Sequence, residues 1–341
     1  MSSTDNTANL KTPSGAHMNT SPSKMTLAAV LGRHGLLGLL VLLFITFSVF
    51  ESSTFPSASN ISTMLLMLSV PGMLAISVLL PAIVGEFDLS PGYLLGFTAV
   101  VAASLGGKLG WNTAECIAGA LVAGALVGLI NGVLVAYFRI RSLIATLGIG
   151  IALSGLSVGV SGSRTLSVGI PEGITSLATT NLFGVGSAVY ITVIVYVIAY
   201  ILLEHTPFGR KTYAVGGSER VAILSGLPTT RIKLIAFVVA GVLAALAGMF
   251  QLGLTGAANP NYGSTLLLPA FAAVFLGSTS VQPGVFNVRG TGLAVLVLGV
   301  GFTGLSLMGV PFWFEPVFNG AMLLGGVVLS SREARKAQGQ T

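Results

Sequence analysis

Side chains that could perform chemistry are few in this chain of 341 residues. It has one cysteine, Cys116, in an apolar run, and three histidines, His17, His34 and His205, far apart along the sequence. The residues show neither the spacing of a metal site nor a Ser/His/Asp arrangement for nucleophilic catalysis. The Gly-x4-Gly-Lys-Ser/Thr loop that holds nucleotide phosphates is also absent. The sequence therefore predicts a protein that is not an enzyme, with no metal or cofactor of its own.

The composition accounts for this scarcity. Only 8% of the residues are charged and 53% are hydrophobic, whereas a soluble domain carries about 25% charged residues. The mean hydropathy is +0.91. These values exclude most soluble enzymes, disordered chains and nucleic-acid-binding proteins, and they predict a protein that lies within a membrane.

Ten apolar segments approach the ~20 residues that a helix needs to cross the hydrocarbon core of a bilayer. Pro71 and Pro81 interrupt the second segment, and Gly92 and Gly96 are expected to loosen the third. The sequence thus predicts an all-α integral membrane protein with about ten transmembrane helices, some of them short or broken. The segments lie near residues 34–50, 64–84, 89–106, 115–136, 142–160, 187–203, 232–253, 265–281, 290–308 and 312–330.

The positions of the basic residues predict the orientation. If the N-terminus is cytoplasmic and the ten segments alternate, fourteen of the sixteen Lys and Arg residues lie on the cytoplasmic side, and only Lys108 and Arg164 lie outside. Cytoplasmic loops of membrane proteins carry such an excess. Both termini are therefore predicted to be cytoplasmic, with a flexible tail at 1–33, a transmembrane domain at 34–330 and a second tail at 331–341.

No ionisable residue lies at the centre of a predicted span. Glu86 and Asp88 fall between the second and third spans, Glu115 at the entrance of the fourth, and Glu315 near the start of the last. A charge at a helix centre costs about 2.5–3.5 kcal/mol on insertion scales, so such residues mark ion pathways where they occur. Their absence argues against a proton- or ion-coupled carrier, and the energy for transport would have to come from elsewhere.

Small residues recur along two of the spans. Gly124, Gly128 and Gly132 are spaced by four residues in the fourth span, and the seventh repeats the pattern from Gly241 to Gly248. Small side chains on one face let helix backbones approach closely. The sequence predicts a tightly packed helical bundle.

The longest predicted cytoplasmic loop, at about 204–231, has five basic residues if Lys233 is counted. Within it, Ser218 is predicted to cap a short helix, Glu219 to lie in the first turn, and Gly226 to end the helix. This helix is either an interfacial element along the membrane surface or a coupling helix that docks into a cytoplasmic motor and moves with it as a rigid element.

Several segments, in order along residues 60–330, resemble bacterial ABC importer permeases of the ribose/monosaccharide type. Phe208-Gly209-Arg210, the stretch Gly216–Gly226 and Lys233 are similar to the coupling region of that family. The other matching segments are Phe87–Gly92, Asn131-Gly132, Ile144–Gly148, Gly277–Ser280 and Gly290-Thr291. The chain departs from the usual pattern at Glu86-Phe87, at Ser154 and at Val281–Asn287.

The resemblance implies a permease of the bacterial cytoplasmic (inner) membrane that imports a monosaccharide. It implies a cytoplasmic ABC ATPase that carries ATP and Mg²⁺, an extracytoplasmic substrate-binding protein, and a second copy of the permease or a paralogue. Membrane lipid surrounds such a protein, and nucleic acid is not a partner. The residues expected to contact the ATPase are Gly217, Ser218, Glu219, Arg220, Ala222, Ser225 and Gly226.

Two further groups of residues are candidates by the same resemblance. Asp88, Ser90 and Gly92 form a structural motif, in which Asp88 is expected to cap or hydrogen-bond a neighbouring helix start. Sugar hydroxyls need hydrogen-bonding partners, because an unpaired buried polar group costs about 1–3 kcal/mol. Polar residues near the outer mouth or the path are candidates for this role, and helix–helix contacts or loop turns are the alternative. They are Asn131, Gln251, Asn259, Asn261, Ser264 and Thr279.

Two other functions remain open at this stage. The first is a permease of an ATP-driven importer for branched-chain amino acids or nucleosides, whose permeases are related to those for sugars. The second is a standalone secondary carrier or channel. An ATPase and a sugar-binding protein encoded by neighbouring genes would favour the sugar importer, and the absence of both would favour the carrier.

Overall fold

The structure is a computed structural model that describes the backbone of residues 27–337 and the side chains of residues 34–331. This part of the chain forms thirteen α-helices and one antiparallel hairpin, in which β1 (Asn181–Leu182) pairs with β2 (Val185–Gly186). The helices are α1 (Leu27–Phe50), α2 (Ala58–Ile83), α3 (Ser90–Leu109), α4 (Thr113–Ala136), α5 (Ser142–Ser161), α6 (Glu172–Thr179), α7 (Ser187–His205), α8 (Pro207–Gly217), α9 (Glu219–Leu224), α10 (Thr229–Thr255), α11 (Gly263–Gly277), α12 (Val288–Leu307) and α13 (Phe314–Ala337).

Each of the ten predicted spans corresponds to one helix. Within the described residues, eight helices are long and apolar enough to cross a bilayer, and two apolar stretches, His34–Phe50 and Gly263–Gly277, are shorter. The predicted class, an all-α multi-pass membrane protein, is confirmed. The remaining helices, α6, α8 and α9, are too short to span and connect the others.

The helix ends gather at two opposite ends of the bundle. We call one the Glu86 end: there α2 passes to α3, α4 to α5 and α11 to α12, and α8 and α9 lie beside them. We call the other the Gln251 end: there α10 passes to α11, and α6 and the hairpin cover the bundle. At the Gln251 end, an isolated antiparallel β-bridge joins Leu166 to Ala258, and the Ser62 hydroxyl donates a hydrogen bond to the Gly184 carbonyl.

The interior is built around α2 and α10. Nearly every residue of α2 from Val70 to Ile83 is buried, and α10 contacts α2, α3 and α4 along its length. By contrast, α5, α7 and α13 bury few of their side chains. The outermost helices therefore present apolar surfaces, as expected where lipid or another membrane protein replaces water.

Glycine permits a close and extensive helix contact between α4 and α10. A Cβ atom at Gly124 would lie 2.5 Å from the Gly241 carbonyl oxygen and 2.6 Å from Ala245 Cβ. One at Gly128 would overlap the Phe237 carbonyl group. The four-residue spacing of the glycines thus places one small-residue face of α4 directly against α10, as the sequence predicts.

Two local expectations were wrong. Gly92 and Gly96 do not loosen α3, which is continuous, because they pack against α11: a Cβ at Gly92 would lie 2.8 Å from the Gly263 carbonyl oxygen. Pro71 and Pro81 do not break α2, which runs through both. Side chains from neighbouring helices bond to the α2 backbone beside Pro71, as when the Tyr196 hydroxyl donates to the Gly72 carbonyl at 3.0 Å.

The first and last helices extend past residues 34 and 330, and the division into two tails and a transmembrane domain stays a prediction. Helix α1 begins at Leu27, inside the segment predicted as a tail, and α13 continues to Ala337, beyond the predicted end at 330. The rest of the two predicted tails, residues 1–26 and 338–341, lies outside the described residues.

Candidate functional site

A surface-exposed helical segment, α8 and α9, occupies the Glu86 end. Thr206 caps α8, which starts with Pro207, and the Ser218 hydroxyl accepts a hydrogen bond from the Val221 amide at 3.4 Å to cap α9. Glu219 lies in the first turn of α9, and Gly226 follows its end with φ of +75°. These are the start, first turn and stop that the sequence predicts.

Helix α9 buries one residue and exposes the others. Ala222 is buried against Val84, Val215, Ile232 and Ala236. The other six residues expected to contact an ATPase are exposed: Gly217, Ser218, Glu219, Arg220, Ser225 and Gly226. Ala222 therefore packs helix α9 against the bundle, and the expected contact of all seven residues with an ATPase stays a prediction.

Three apolar side chains complete this surface, and sequence reasoning missed them. Val221, Ile223 and Leu224 are 60%, 53% and 81% exposed. A helix of six residues that buries Ala222 leaves these three on its outer side. We call Val221, Ile223 and Leu224 the α9 apolar face. The signal that could have found them is an apolar run within a basic, otherwise polar loop.

A pair of salt bridges ties α9 to the bundle. Lys233 Nζ, in the first turns of α10, lies 2.8 Å from Glu219 Oε2 and 2.7 Å from Glu86 Oε1. Glu86 belongs to the turn between α2 and α3. One ammonium group thus joins three elements, although the chain separates Glu86 from Lys233 by 147 residues.

The motif Asp88, Ser90 and Gly92 organises the start of α3. Asp88 Oδ1 accepts hydrogen bonds from the Ser90 amide at 2.8 Å and the Ser90 hydroxyl at 2.7 Å. The Ser90 oxygen in turn accepts from Asn131 Nδ2 of α4 at 2.8 Å. Burial raises the pKa of the Asp88 carboxyl from 3.8 to about 6, against the opposing effect of the two Ser90 hydrogen bonds. Asp88 thus bonds to a helix start, as predicted.

Polar candidates meet at the Gln251 end. A cavity of about 210 Å³ opens there between α3 and the α10–α11 connection. The cavity is lined by the buried Gln251 and by the exposed Asn259, both of which the sequence predicts as candidates. Three further polar residues line it that sequence reasoning missed: Thr165, Thr255 and Tyr262. Only Leu95, Gly96 and alanines complete the lining, so this cavity has no charged wall.

The other four path candidates lie outside this cavity. The Asn261 amide donates to Asn259 Oδ1, and the Ser264 hydroxyl donates to the Asn261 carbonyl. Asn261 thus belongs to the α10–α11 connection and Ser264 to the first turn of α11. Asn131 and Thr279 lie at the Glu86 end, where Asn131 bonds Ser90 and the Thr279 hydroxyl donates to the Leu276 carbonyl. Of the six candidates, only Gln251 and Asn259 therefore line this cavity.

A larger cavity, of about 620 Å³, lies on the flank of the bundle between α1, α2, α7 and α12. Its walls are almost entirely apolar side chains, such as Leu37, Leu68, Val193 and Leu296. A polyhydroxylated solute would lose its hydrogen bonds to water there and gain almost none. Despite its size, this groove is a poor site for a sugar.

The described residues thus form a bundle of ten apolar helices, with an exposed helix at one end and a polar cavity at the other. The family model described as a branched-chain amino acid transport system permease component matches residues 60–327. The chain belongs to this family of ABC transporter permeases.

Individual relatives cover nearly the whole chain. It is 33% identical over 311 residues to the ribose import permease protein RbsC of Escherichia coli K12, which spans 90% of this chain and 96% of that protein. It is 31% identical to the L-arabinose ABC transporter permease protein AraH of Azospirillum brasilense, over 90% and 91% of the two chains. It is 29% identical to the xylose transport system permease protein XylH of E. coli K12, over 87% and 90%. No solved structure matches the fold.

Proposed function

We propose that this protein is the membrane-spanning subunit of an ATP-driven importer, and that it translocates a monosaccharide. The observation that carries the proposal is the similarity, over about 90% of the chain, to permeases named for ribose, arabinose and xylose. The permease itself hydrolyses nothing: a separate cytoplasmic ATPase subunit binds ATP and Mg²⁺. A binding protein on the other side of the bacterial cytoplasmic membrane delivers the sugar.

The Glu86 end faces the cytoplasm in this proposal. Four exposed bases of the α8–α10 region, Arg210, Lys211, Arg220 and Arg231, lie there, which agrees with the positive-inside rule. The ATPase docks on the α9 apolar face. Apolar side chains surrounded by charges are the usual anatomy of a protein interface, in which the buried centre supplies most of the affinity.

Exchange of a docking residue tests this contact. Leu224→Asp places a charge at the centre of the α9 apolar face, and because Leu224 is 81% exposed the fold should tolerate it. Co-purification of the ATPase should fall by about tenfold or more, as expected when an interface contact worth 1.4 kcal/mol or more is lost. Phe183→Asp is the matched control, since Phe183 is fully exposed in the hairpin at the opposite end. Equal ATPase binding by both variants would contradict the assignment.

The cavity at the Gln251 end is the entry site for the sugar. Gln251 and Asn259 offer amide donors and acceptors, and Thr165, Thr255 and Tyr262 offer hydroxyls, so several sugar hydroxyls find partners without a charge. A free amino acid would bring both an ammonium and a carboxylate, which bind tightly only where opposite charges meet them. The uncharged lining therefore supports a sugar over a branched-chain amino acid.

A second permease copy pairs with this one along α5. Four small residues, Gly148, Ala152, Gly155 and Gly159, share its exposed face, and none of the three glycines has a neighbouring atom within 4 Å of the position of a Cβ. Helices in membranes associate through such faces, because van der Waals contact rather than water expulsion holds them together. An ABC permease needs a partner of this kind to enclose a path.

Reconstitution distinguishes the proposal from its alternatives. The permease, the ATPase and the sugar-binding protein are placed in proteoliposomes, and uptake of labelled ribose, arabinose, xylose, leucine and a nucleoside is compared with and without ATP. Uptake of a pentose only with ATP supports the proposal. Uptake of leucine or the nucleoside instead would establish the related cargo class, and sugar uptake driven by an ion gradient without ATP would establish a secondary carrier.

A further inference from the structure

A buried lysine connects the exposed helix α9 to the start of α3. The Lys233 side chain is only 8% exposed, and its ammonium contacts Glu86, which is 18% exposed, and Glu219, which is 49% exposed. The three residues come from the first turns of α10, the α2–α3 turn and α9. We call them the Lys233 link.

The two salt bridges of the link differ in strength. A buried ammonium needs a charged partner, because loss of that partner leaves an uncompensated charge away from water. Glu86 alone neutralises Lys233 and is itself largely buried, so this pair is the fixed part of the link. Glu219 is a second acid on the same cation and is half exposed, where water screens the interaction. The bond between Lys233 and Glu219 is therefore the one that can break and re-form.

Glu86 is placed where a displacement reaches other helices. The next residue, Phe87, donates its amide to the Ser142 hydroxyl of α5 at 3.2 Å, and Leu89 donates to the Thr146 hydroxyl at 3.0 Å. Immediately afterwards, the Asp88 and Ser90 hydrogen bonds start α3. A pull on Glu86 thus acts on the first turns of both α3 and α5.

The backbone around the Lys233 link is tightly packed, so that a displacement there is passed on with little local deformation. Gly216, at the end of α8, packs so closely on the Ile83 carbonyl at the end of α2 that no Cβ would fit. Packed elements of this kind move between discrete arrangements instead of deforming continuously.

We propose that Lys233 and Glu86 are positioning residues that couple α9 to α3 and α5. When the ATPase displaces α9, Glu219 pulls or releases Lys233, and Glu86 passes this change to the α2–α3 turn and so to α3 and α5. The inference rests on the proposed function, because it takes the ATPase to be the partner that moves α9. It assigns a mechanical role to a pair of residues that the docked ATPase does not touch.

The first test measures the number of sugar molecules taken up per ATP hydrolysed. In Glu86→Gln, ATPase binding and basal ATP hydrolysis should persist. The ratio of sugar taken up to ATP hydrolysed should fall by about fivefold or more, because fivefold is the smallest effect that coupling between two sites typically has. Lys233→Met should reduce the ratio similarly, and the double variant should be no worse than either single variant, because both break the same link. Lys233→Arg should retain the ratio. An unchanged ratio in Glu86→Gln, or additive losses in the double variant, would overturn the inference.

The ion pair between Arg289 and Glu204 is a matched control. It has an N–O distance of 2.8 Å, lies at the same end of the bundle, and joins α12 to α7 rather than to α9. Glu204→Gln should leave the ratio unchanged. A loss equal to that of Glu86→Gln would mean that any ion pair at this end has the same effect, and would contradict a specific link.

A second measurement needs no transported solute. Hydrogen exchange of the Phe87–Ser90 amides is followed when the purified ATPase is added. In the wild type, exchange should change both in α9 and at Phe87–Ser90, whereas in Glu86→Gln it should change in α9 alone. Equal changes at Phe87–Ser90 in both proteins would refute the link even if sugar uptake proves the proposed function. An intact link in a protein that takes up no sugar would refute the proposed cargo and leave the link standing.

Discussion

The contact between α4 and α10 permits a quantitative test through Gly124→Ala. The added Cβ would lie 2.5 Å from the Gly241 carbonyl oxygen and 2.6 Å from Ala245 Cβ, whereas carbon atoms in contact are ordinarily about 3.5–4.0 Å apart. The two helices would have to separate by roughly 1 Å, because the obstacle is backbone and a methyl group with no freedom to rotate away. Overpacking of this kind costs about 1–3 kcal/mol, which exceeds the ~0.5–1 kcal/mol that alanine gains over glycine in a helix.

Gly38→Ala is the matched control, since Gly38 lies within α1 and no atom lies within 4 Å of its Cβ position. The assay is the thermal midpoint of the detergent-solubilised protein, followed by loss of the monodisperse peak in size-exclusion chromatography at one heating rate. A net loss of about 1–2 kcal/mol should lower the midpoint of Gly124→Ala by roughly 1–3 °C for a chain of this length, and Gly38→Ala should match or exceed the wild type. Equal midpoints for the two variants would refute the close contact.

Three further predictions concern the other sites. Asp88→Asn should stabilise the protein at pH 8 by about 3 kcal/mol, because the pKa of Asp88 is about 6 in the folded protein against an ordinary 3.8, so that its ionised carboxyl destabilises the fold above pH 6. The stability advantage of the variant over the wild type should shrink as the pH falls from 7 to 4. An advantage that does not change with pH would contradict the raised pKa. Gln251→Ala should raise the KM for sugar uptake by about fivefold through loss of one or two hydrogen bonds, whereas Ser264→Ala, at the same end outside the cavity, should not; equal effects would remove the cavity from the path. Ala152→Cys should form a disulfide between two copies of the permease in oxidised membranes. Val193→Cys, on the exposed face of α7, should form none. The reverse result would place the contact between the two copies on α7.

Local signals in the sequence predicted the parts of the fold that depend on neighbouring residues. The length of each apolar run gave the spans, because the bilayer thickness sets the length of a helix that crosses it. Ser218 and Gly226 predicted the limits of α9, because capping depends on side chains within three or four residues. The spacing of Gly124 and Gly128 predicted a packing face on α4.

The parts that could not be predicted depend on residues that are distant in sequence. Gly92 was expected to loosen α3, and only the position of Gly263 on α11 explains why it is a contact instead. Glu86 pairs with Lys233 across 147 residues, which no local pattern indicates. Ala222 faces inward because Val84 and Ile232 supply its surroundings.

The candidate cavity shows the same limit. The sequence predicts six polar residues near the outer mouth or the path, and hydrogen-bonding capacity alone does not show which end of the bundle each residue occupies. The fold assigns Gln251 and Asn259 to one cavity and places Asn131 at the opposite end, bonded to Ser90. It also adds Thr165 from the α5–α6 connection, a polar loop residue with no sequence signal of its own.

The most direct test of the central claim is the uptake of labelled pentose into proteoliposomes that contain the permease, its ATPase and its sugar-binding protein. We predict that uptake requires ATP and the binding protein, and that Leu224→Asp abolishes it while Phe183→Asp leaves the dependence on ATP intact. Pentose uptake that persists without ATP, or ATP-dependent uptake of leucine with no uptake of any sugar, would contradict the claim that this chain is the permease of an ATP-driven monosaccharide importer.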